Sequence, residues 1–203
     1  MNRLIVIAAA LLSLVSCSRH EPSTARQELD RLWKGSPVEF RHTPGMKAEA
    51  FGIEREGHKF VISSADDAGA LYGVYSLLRD SMQIPREESP AFPLRLLNHW
   101  DNLDGTVERG YAGHSLWDWD ALPDSVSPRY LDYARENARI GINGTVLNNV
   151  NASPQILSHD YLVKVARLAD VFRPYGIKVY LSVNFASPMV LDSLPTADPL
   201  VAE

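Results

Sequence analysis

Three features of the sequence predict an α/β protein built in two parts. Residues 38–82 hold short alternating strands followed by an amphipathic helix, the grammar of a small α+β domain. From Leu94 onward the order is strand, helix, strand, helix, strand. These later strands are near-continuous apolar runs, which fits parallel strands covered by helices. A proline-rich stretch, "PREESPAFP", separates the two parts.

The chain opens with "MNRLIVIAAALLSLVSC". A basic start at Arg3 precedes an apolar run, residues 4–14, too short to span a bilayer as a mature helix and suited to a secretory signal. The end of that run, Leu14-Val15-Ser16-Cys17, resembles a bacterial lipobox, against the alternative of an ordinary signal with an incidental cysteine. Residues 1–17 are therefore expected to be a lipoprotein signal peptide, with Cys17 as lipid anchor and the membrane surface as a partner. Ser18 rather than Asp follows the cysteine. The expected location is thus the bacterial cell envelope, at the outer membrane. Cys17 is the sole cysteine of the 203 residues, so no intrachain disulfide forms. Residues 18–28, "SRHEPSTARQE", are polar and read as a tether.

Residues 29–88 are expected to form the small α+β domain. "VEFRH" alternates, and "AFGIER" and "KFVIS" flank a turn at Glu56-Gly57. Asp66 or Asp67 can cap a helix in which Leu71, Tyr75, Leu78 and Met82 recur at helical spacing. Gly69 and Gly73 lie inside that helix, each costing up to about 1 kcal/mol relative to alanine. Close packing of the helix backbone on the preceding sheet would offset that cost.

Residues 89–203 carry the parallel part. "LRLLN" is its first strand, followed by a long polar loop through Pro123. Ser127-Pro128 opens a helix, cap then first-turn proline, with Leu131, Ala134 and Ala138 inward and Gly141 as the stop. "GTVLNNV" is the second strand. Ser158 caps the next helix, with Leu162, Val165, Ala169 and Phe172 inward and Gly176 beyond it. "IKVYLSV" is the third strand, and no third helix is expected after it. Three parallel strands with a free apolar edge are a poor terminus, so the chain reads as the N-terminal part of a longer protein.

The formal charge is -5, from 20 basic and 25 acidic residues, with no basic block. That argues against nucleic acid as a partner, because phosphate binding needs clustered Lys and Arg. GxGxxG, P-loop, GxSxG and HExxH motifs are all missing from the sequence, and the six histidines lack metal spacing. No cofactor and no metal is expected. Asp101 and Asp104 suggest a calcium loop only superficially, since Trp100 and Tyr111 fall where the first and last ligands belong.

Function is sought at the C-terminal ends of the three strands, where parallel α/β proteins bind ligands. The first runs into Asn98-His99-Trp100-Asp101-Asn102, the second into Asn148-Asn149-Val150-Asn151, the third into Asn184-Phe185. An aromatic face beside amide and carboxylate groups suits a sugar, whose C–H face stacks and whose hydroxyls need paired donors and acceptors. The competing reading is that Asn and Asp merely end strands in Asx turns.

At "PLRLLNHWDNLDGTVERGYAGHSLWDW", "ARENARIGINGTVLNNVNA" and "YGIKVYLSVNFASP" the chain resembles the family 67 glycoside hydrolases, the α-glucuronidases of xylan breakdown. Upstream, "DDAGALYGVYSLLRD" resembles the end of the small domain preceding the barrel in that family, and a similar domain precedes the barrel of family 20 hexosaminidases. The resemblance implies a (β/α)8 TIM barrel of which this chain holds the first three strands. It also implies removal, with inversion, of (4-O-methyl)glucuronic acid from xylo-oligosaccharides, and leaves room for a homodimer of the full-length form. The family's catalytic carboxylates lie on later strands, so none is assigned here. By resemblance Trp100 lines the uronic-acid pocket. Asp101, Asn102, Glu108, Arg109 and Asn149 are candidates for pocket hydrogen bonds or loop scaffolding. Arg109 either faces the substrate carboxylate or pairs within its loop with Glu108 or Asp104. The alternative from another class is a lipid-anchored, non-catalytic carbohydrate-binding protein.

Overall fold

The computed structural model describes residues 23–147, 153–198 and 200–201. It is a mixed α/β structure with two sheets. The first helix, α1 (Ser23–Leu32), occupies part of the stretch expected to be a tether. Ala25 and Leu29 stand one turn apart and are buried, and α1 packs on the second helix. Polar composition misled here because Glu28 is buried as an ion pair, not exposed to solvent.

The first sheet has the order β1-β3-β2-β4. Strand β1 (Val38–His42) runs parallel to β3 (Lys59–Ser64), and β2 (Phe51–Glu56) runs antiparallel to β3. Strand β4 (Arg86–Glu88) pairs antiparallel with the other edge of β2, Phe51 opposite Glu88. It lies at the start of the expected linker. Its main chain covers an otherwise unpaired edge, and the Arg86 guanidinium donates to the Ser76 and Asp80 carbonyls, where the preceding helix ends.

That helix, α2 (Asp67–Arg79), is capped by Asp66, whose carboxylate accepts from Gly69 N at 2.7 Å. The other Asp66 oxygen accepts from Glu49 N at 2.8 Å and secures a residue with φ of 62°. The two helical glycines have the packing role expected of them. A Cβ on Gly69 would collide with the Ala50 carbonyl, and one on Gly73 would lie 2.6 Å from Ile62 Cγ2. Leu71, Val74 and Leu77 are fully buried against Ile53 and Ile62. Met82 is 88% exposed instead of inward, because the helix ends at Arg79.

The second sheet is parallel throughout, with β5 (Leu96–Asn98), β6 (Gly144–Leu147) and β7 (Lys178–Leu181) in that order. Helix α3 (Pro128–Arg139) links β5 to β6, and α4 (His159–Phe172) links β6 to β7. Ser127 caps α3 by accepting from Arg129 N, and Tyr130, Ala134 and Ala138 are its buried stripe. In α4 the stripe is Val165, Leu168 and Phe172, while Leu162 is 42% exposed. The predicted face was rotated towards Leu162 and missed Leu168. Gly176, at φ of 73°, ends the 3-10 turn that follows α4. A short helix, α5 (Ser187–Leu191), follows β7 where none was expected.

The loop between β5 and α3, expected to be polar, buries Trp117, Trp119 and Leu122. The Trp117 ring meets His99, Tyr130, Tyr133 and Phe172 at centroid distances of 5.2–5.7 Å, in edge-on and tilted arrangements favoured by aromatic quadrupoles.

Two polar clusters join the sheets. Glu28 on α1 accepts from Arg31, from Arg135 Nε of α3 at 2.9 Å and from Tyr175 OH at 3.2 Å. On another face, Glu49 accepts from Arg95 and from Asn143 Nδ2, and Asn143 Oδ1 accepts from Arg95 N at 2.9 Å. The second cluster sets the start of β5 against the start of β6.

Candidate functional site

The C-terminal end of β5 continues one residue past Asn98, since His99 N still donates to Val146 O at 3.0 Å. The His99 side chain turns inward. Its Nε2 lies 2.7 Å from Tyr133 OH, which lies 2.9 Å from Thr145 Oγ1 on β6. Burial lowers the His99 pKa, opposed in part by the charge of Asp101. Trp100 then faces out, at 52% exposure, and Asp101 faces in, at 5%.

Beyond Asp101 the chain folds back on itself. Asp101 bridges Val107, and Thr106 bridges His114, both antiparallel. Asn102 N donates to Thr106 O at 2.8 Å, and Glu108 N donates to Trp100 O at 2.7 Å. The Asn102 amide donates to Thr106 Oγ1 at 2.9 Å and to Glu108 O at 2.7 Å. Asp104 Oδ1 accepts from both the N–H and the hydroxyl of Thr106, an Asx turn. Those bonds lower the Asp104 pKa. Gly105, Gly110 and Gly113 all have positive φ, as does Glu108 at 60°. The segment "NLDGTVERGYAG" is therefore a built loop whose glycines sit where side chains are disfavoured.

The structure thus gathers Trp100, Asp101, Asn102 and Glu108 in one knot, with Asn102 serving the loop backbone. Arg109 is exposed on the same loop, and among the described residues it makes no ion pair with Glu108 or Asp104. Asn149 lies outside the described residues, with the polar end of β6. At the end of β7, Asn184 Oδ1 accepts from Ala186 N at 2.8 Å and Asn184 O accepts from Ser187 Oγ. There the Asx-turn reading holds: this asparagine makes the turn that leads into α5, whose N-cap is Ala186. An open depression of about 760 Å³ lies beside the loop, lined by Asn102, Leu103, Asp104, Ser153, Gln155 and Tyr161 among others. Tyr111, noted in the sequence only as unfit for a calcium loop, has no site role predicted for it. It is 75% exposed on the same loop, and its OH donates to Glu108 Oε1 at 3.4 Å.

Parallel strands joined by helices bring their C-terminal ends to one edge, where α/β proteins bind ligands, and the exposed Trp100 stands at that edge. Two solved glycosidases share the fold. One is a GH138 enzyme targeting pectin rhamnogalacturonan II, at a TM-score of 0.54 and 14% identity, covering 78% of this chain and 22% of that one. The other is a family 20 β-N-acetylglucosaminidase, at 0.51 and 14% identity, covering 78% and 36%. The profile of the glycosyl hydrolase family 67 middle domain matches residues 76–203, and the chain belongs to this family. It is 42% identical over 161 residues to a probable α-glucuronidase A of Neosartorya fischeri, which covers 77% of this chain and 19% of the relative. It is 40% identical over 166 residues to α-glucuronidase A of Emericella nidulans, covering 77% and 20%. The chain spans about one fifth of the length of these curated relatives.

The relatives also correct one expectation. They come from fungi, Aspergillus fumigatus among them, which overturns the placement as a lipid-anchored protein of the bacterial envelope. That placement rested on residues 1–18. Cys17, its proposed anchor, lies outside the described residues.

Proposed function

We propose that the full-length protein is an α-glucuronidase that removes (4-O-methyl)glucuronic acid from xylo-oligosaccharides with inversion. In this reading residues 29–88 are a small N-terminal domain and residues 89–203 begin a (β/α)8 catalytic barrel. The observation that carries it is Trp100, half-exposed at the C-terminal end of β5 within a family 67 match. The indole is a stacking platform for the uronic-acid ring, and Arg109 supplies a guanidinium for its carboxylate. Asn102 and Glu108 shape the loop that presents both.

Inverting hydrolysis needs an acid and a base carboxylate roughly 6.5–9.5 Å apart, leaving room for a water. Asp101 and Asp104 are engaged within the loop by Ser115 and Thr106, so neither is assigned as acid or base. Those roles fall to later strands, and the 203-residue polypeptide alone releases no glucuronic acid. The test compares this polypeptide with the full-length protein on aldouronic oligosaccharides, following release and anomeric configuration by proton NMR. Expected are β-glucuronic acid as the first product of the full-length protein and no release by the short chain. Turnover by the short chain, or an α-configured first product, would refute the reading.

A further inference from the structure

Resting on the proposed uronic-acid site, we infer that Asp101 is a positioning residue that holds the Trp100 platform from beneath through Ser115, and not a group that touches sugar. Successive side chains on extended backbone point to opposite sides. Trp100 is 52% exposed and Asp101 5%, so the face that presents the indole does not present this carboxylate. Asp101 Oδ2 instead accepts from Ser115 Oγ at 2.5 Å, and the same hydroxyl accepts from Trp117 N at 3.0 Å. Ser115 lies 14 residues on, at the far end of the loop, where its own N–H donates to Gly105 O at 2.8 Å.

The other neighbour of Trp100 is secured separately. His99 bonds to Tyr133, and its ring packs on Trp117 at 5.3 Å. Residues 99 and 101 are thus both tied into the buried layer around Trp117, one to the helix side and one to the loop. Trp100 is the residue between them. Its carbonyl in turn accepts from Glu108 N, so a shift of Asp101 moves the indole and the Glu108–Arg109 corner together. A carboxylate hydrogen-bonded within the protein has a fixed position before ligand arrives, which is what preorganisation of a binding platform requires.

The test uses the full-length protein. Ser115→Ala and Asp101→Ala should each raise KM for the oligosaccharide about tenfold while kcat stays within about threefold, the signature of lost binding geometry. The double variant should be no worse than either single, because both remove one bond. Asp101→Asn keeps an acceptor towards Ser115 and should retain KM within about threefold of wild type. Acrylamide quenching of Trp100, taken as the difference from a Trp100→Phe background, should change in Ser115→Ala without substrate present. A KM loss in Asp101→Asn as large as in Asp101→Ala, with Ser115→Ala unaffected, would overturn the inference in favour of direct sugar contact. Unchanged quenching in Ser115→Ala would overturn it even if Asp101→Ala does not fold. No turnover by wild type refutes the glucuronidase reading alone, since the quenching experiment still decides the role of Asp101.

Discussion

Glu28 provides the sharpest test of how the two sheets are joined. Its side chain is 2% exposed, and it faces Arg31 at 45% and Arg135 at 24%. The Arg31 pair is half in solvent and contributes at most about 1 kcal/mol. Arg135 and the buried Tyr175 hydroxyl lose a charged acceptor when Glu28 is truncated, at a cost of about 1.5–3 kcal/mol. Glu28→Ala should therefore cost about 2–4 kcal/mol, a fall in Tm of roughly 5–15 °C for a unit of this size. Burial by itself would raise the Glu28 pKa, but the bonds and charges of Arg31 and Arg135 outweigh it and hold it below 4.5. A carboxyl depressed in the folded state contributes stability that is complete above its unfolded pKa and is lost as pH falls through its folded pKa. The assay is thermal unfolding by circular dichroism from about pH 3 to about pH 7, a range that spans the ordinary carboxylate pKa. The wild-type advantage over Glu28→Gln should shrink towards the acid end. A Glu28→Ala transition within about 2 °C of wild type at neutral pH would refute the ion-pair accounting.

Trp100→Ala in the full-length protein should raise KM for the oligosaccharide by about tenfold or more, since an aromatic anchor supplies about 1.5 kcal/mol or more of contact; unchanged kinetics would remove the indole from the pocket. Gly73→Val should destabilise by about 1–3 kcal/mol through overpacking against Ile62 and Phe51, read by urea denaturation. A smaller loss would mean that the helix can lift from the sheet.

Most elements were legible because local chemistry decides them. Asp66 and Ser127 cap helices where a short polar side chain precedes an apolar stripe, and Gly141 and Gly176 end them with positive φ. Strands β2 and β3 bury their apolar residues, but the apolar run of β5 is exposed along its length, so an apolar strand did not by itself mean a buried one. Three of the misreadings share one cause: a partner distant in the chain. Residues 23–28 look like a tether until Arg135 and Tyr175 arrive 107 and 147 residues later to receive Glu28. Residues 86–88 look like a linker until the edge of β2 supplies a ladder. The loop after β5 looks solvated, yet Trp117 finds a buried aromatic layer made by α3 and α4. At the candidate site the same division appears. An aromatic among amides was visible at positions 98–102, but not that Asp101 points inward to Ser115 while Trp100 points out.

By itself, the sequence determined the α/β class and the alternation of strands and helices from β5 to β7, because periodicity, caps and turn residues act within a few positions of one another. Only the tertiary structure decided which of the clustered groups stay exposed and which support the loop. That choice depends on which buried donors and acceptors the rest of the chain leaves within hydrogen-bonding distance, and no local pattern encodes it.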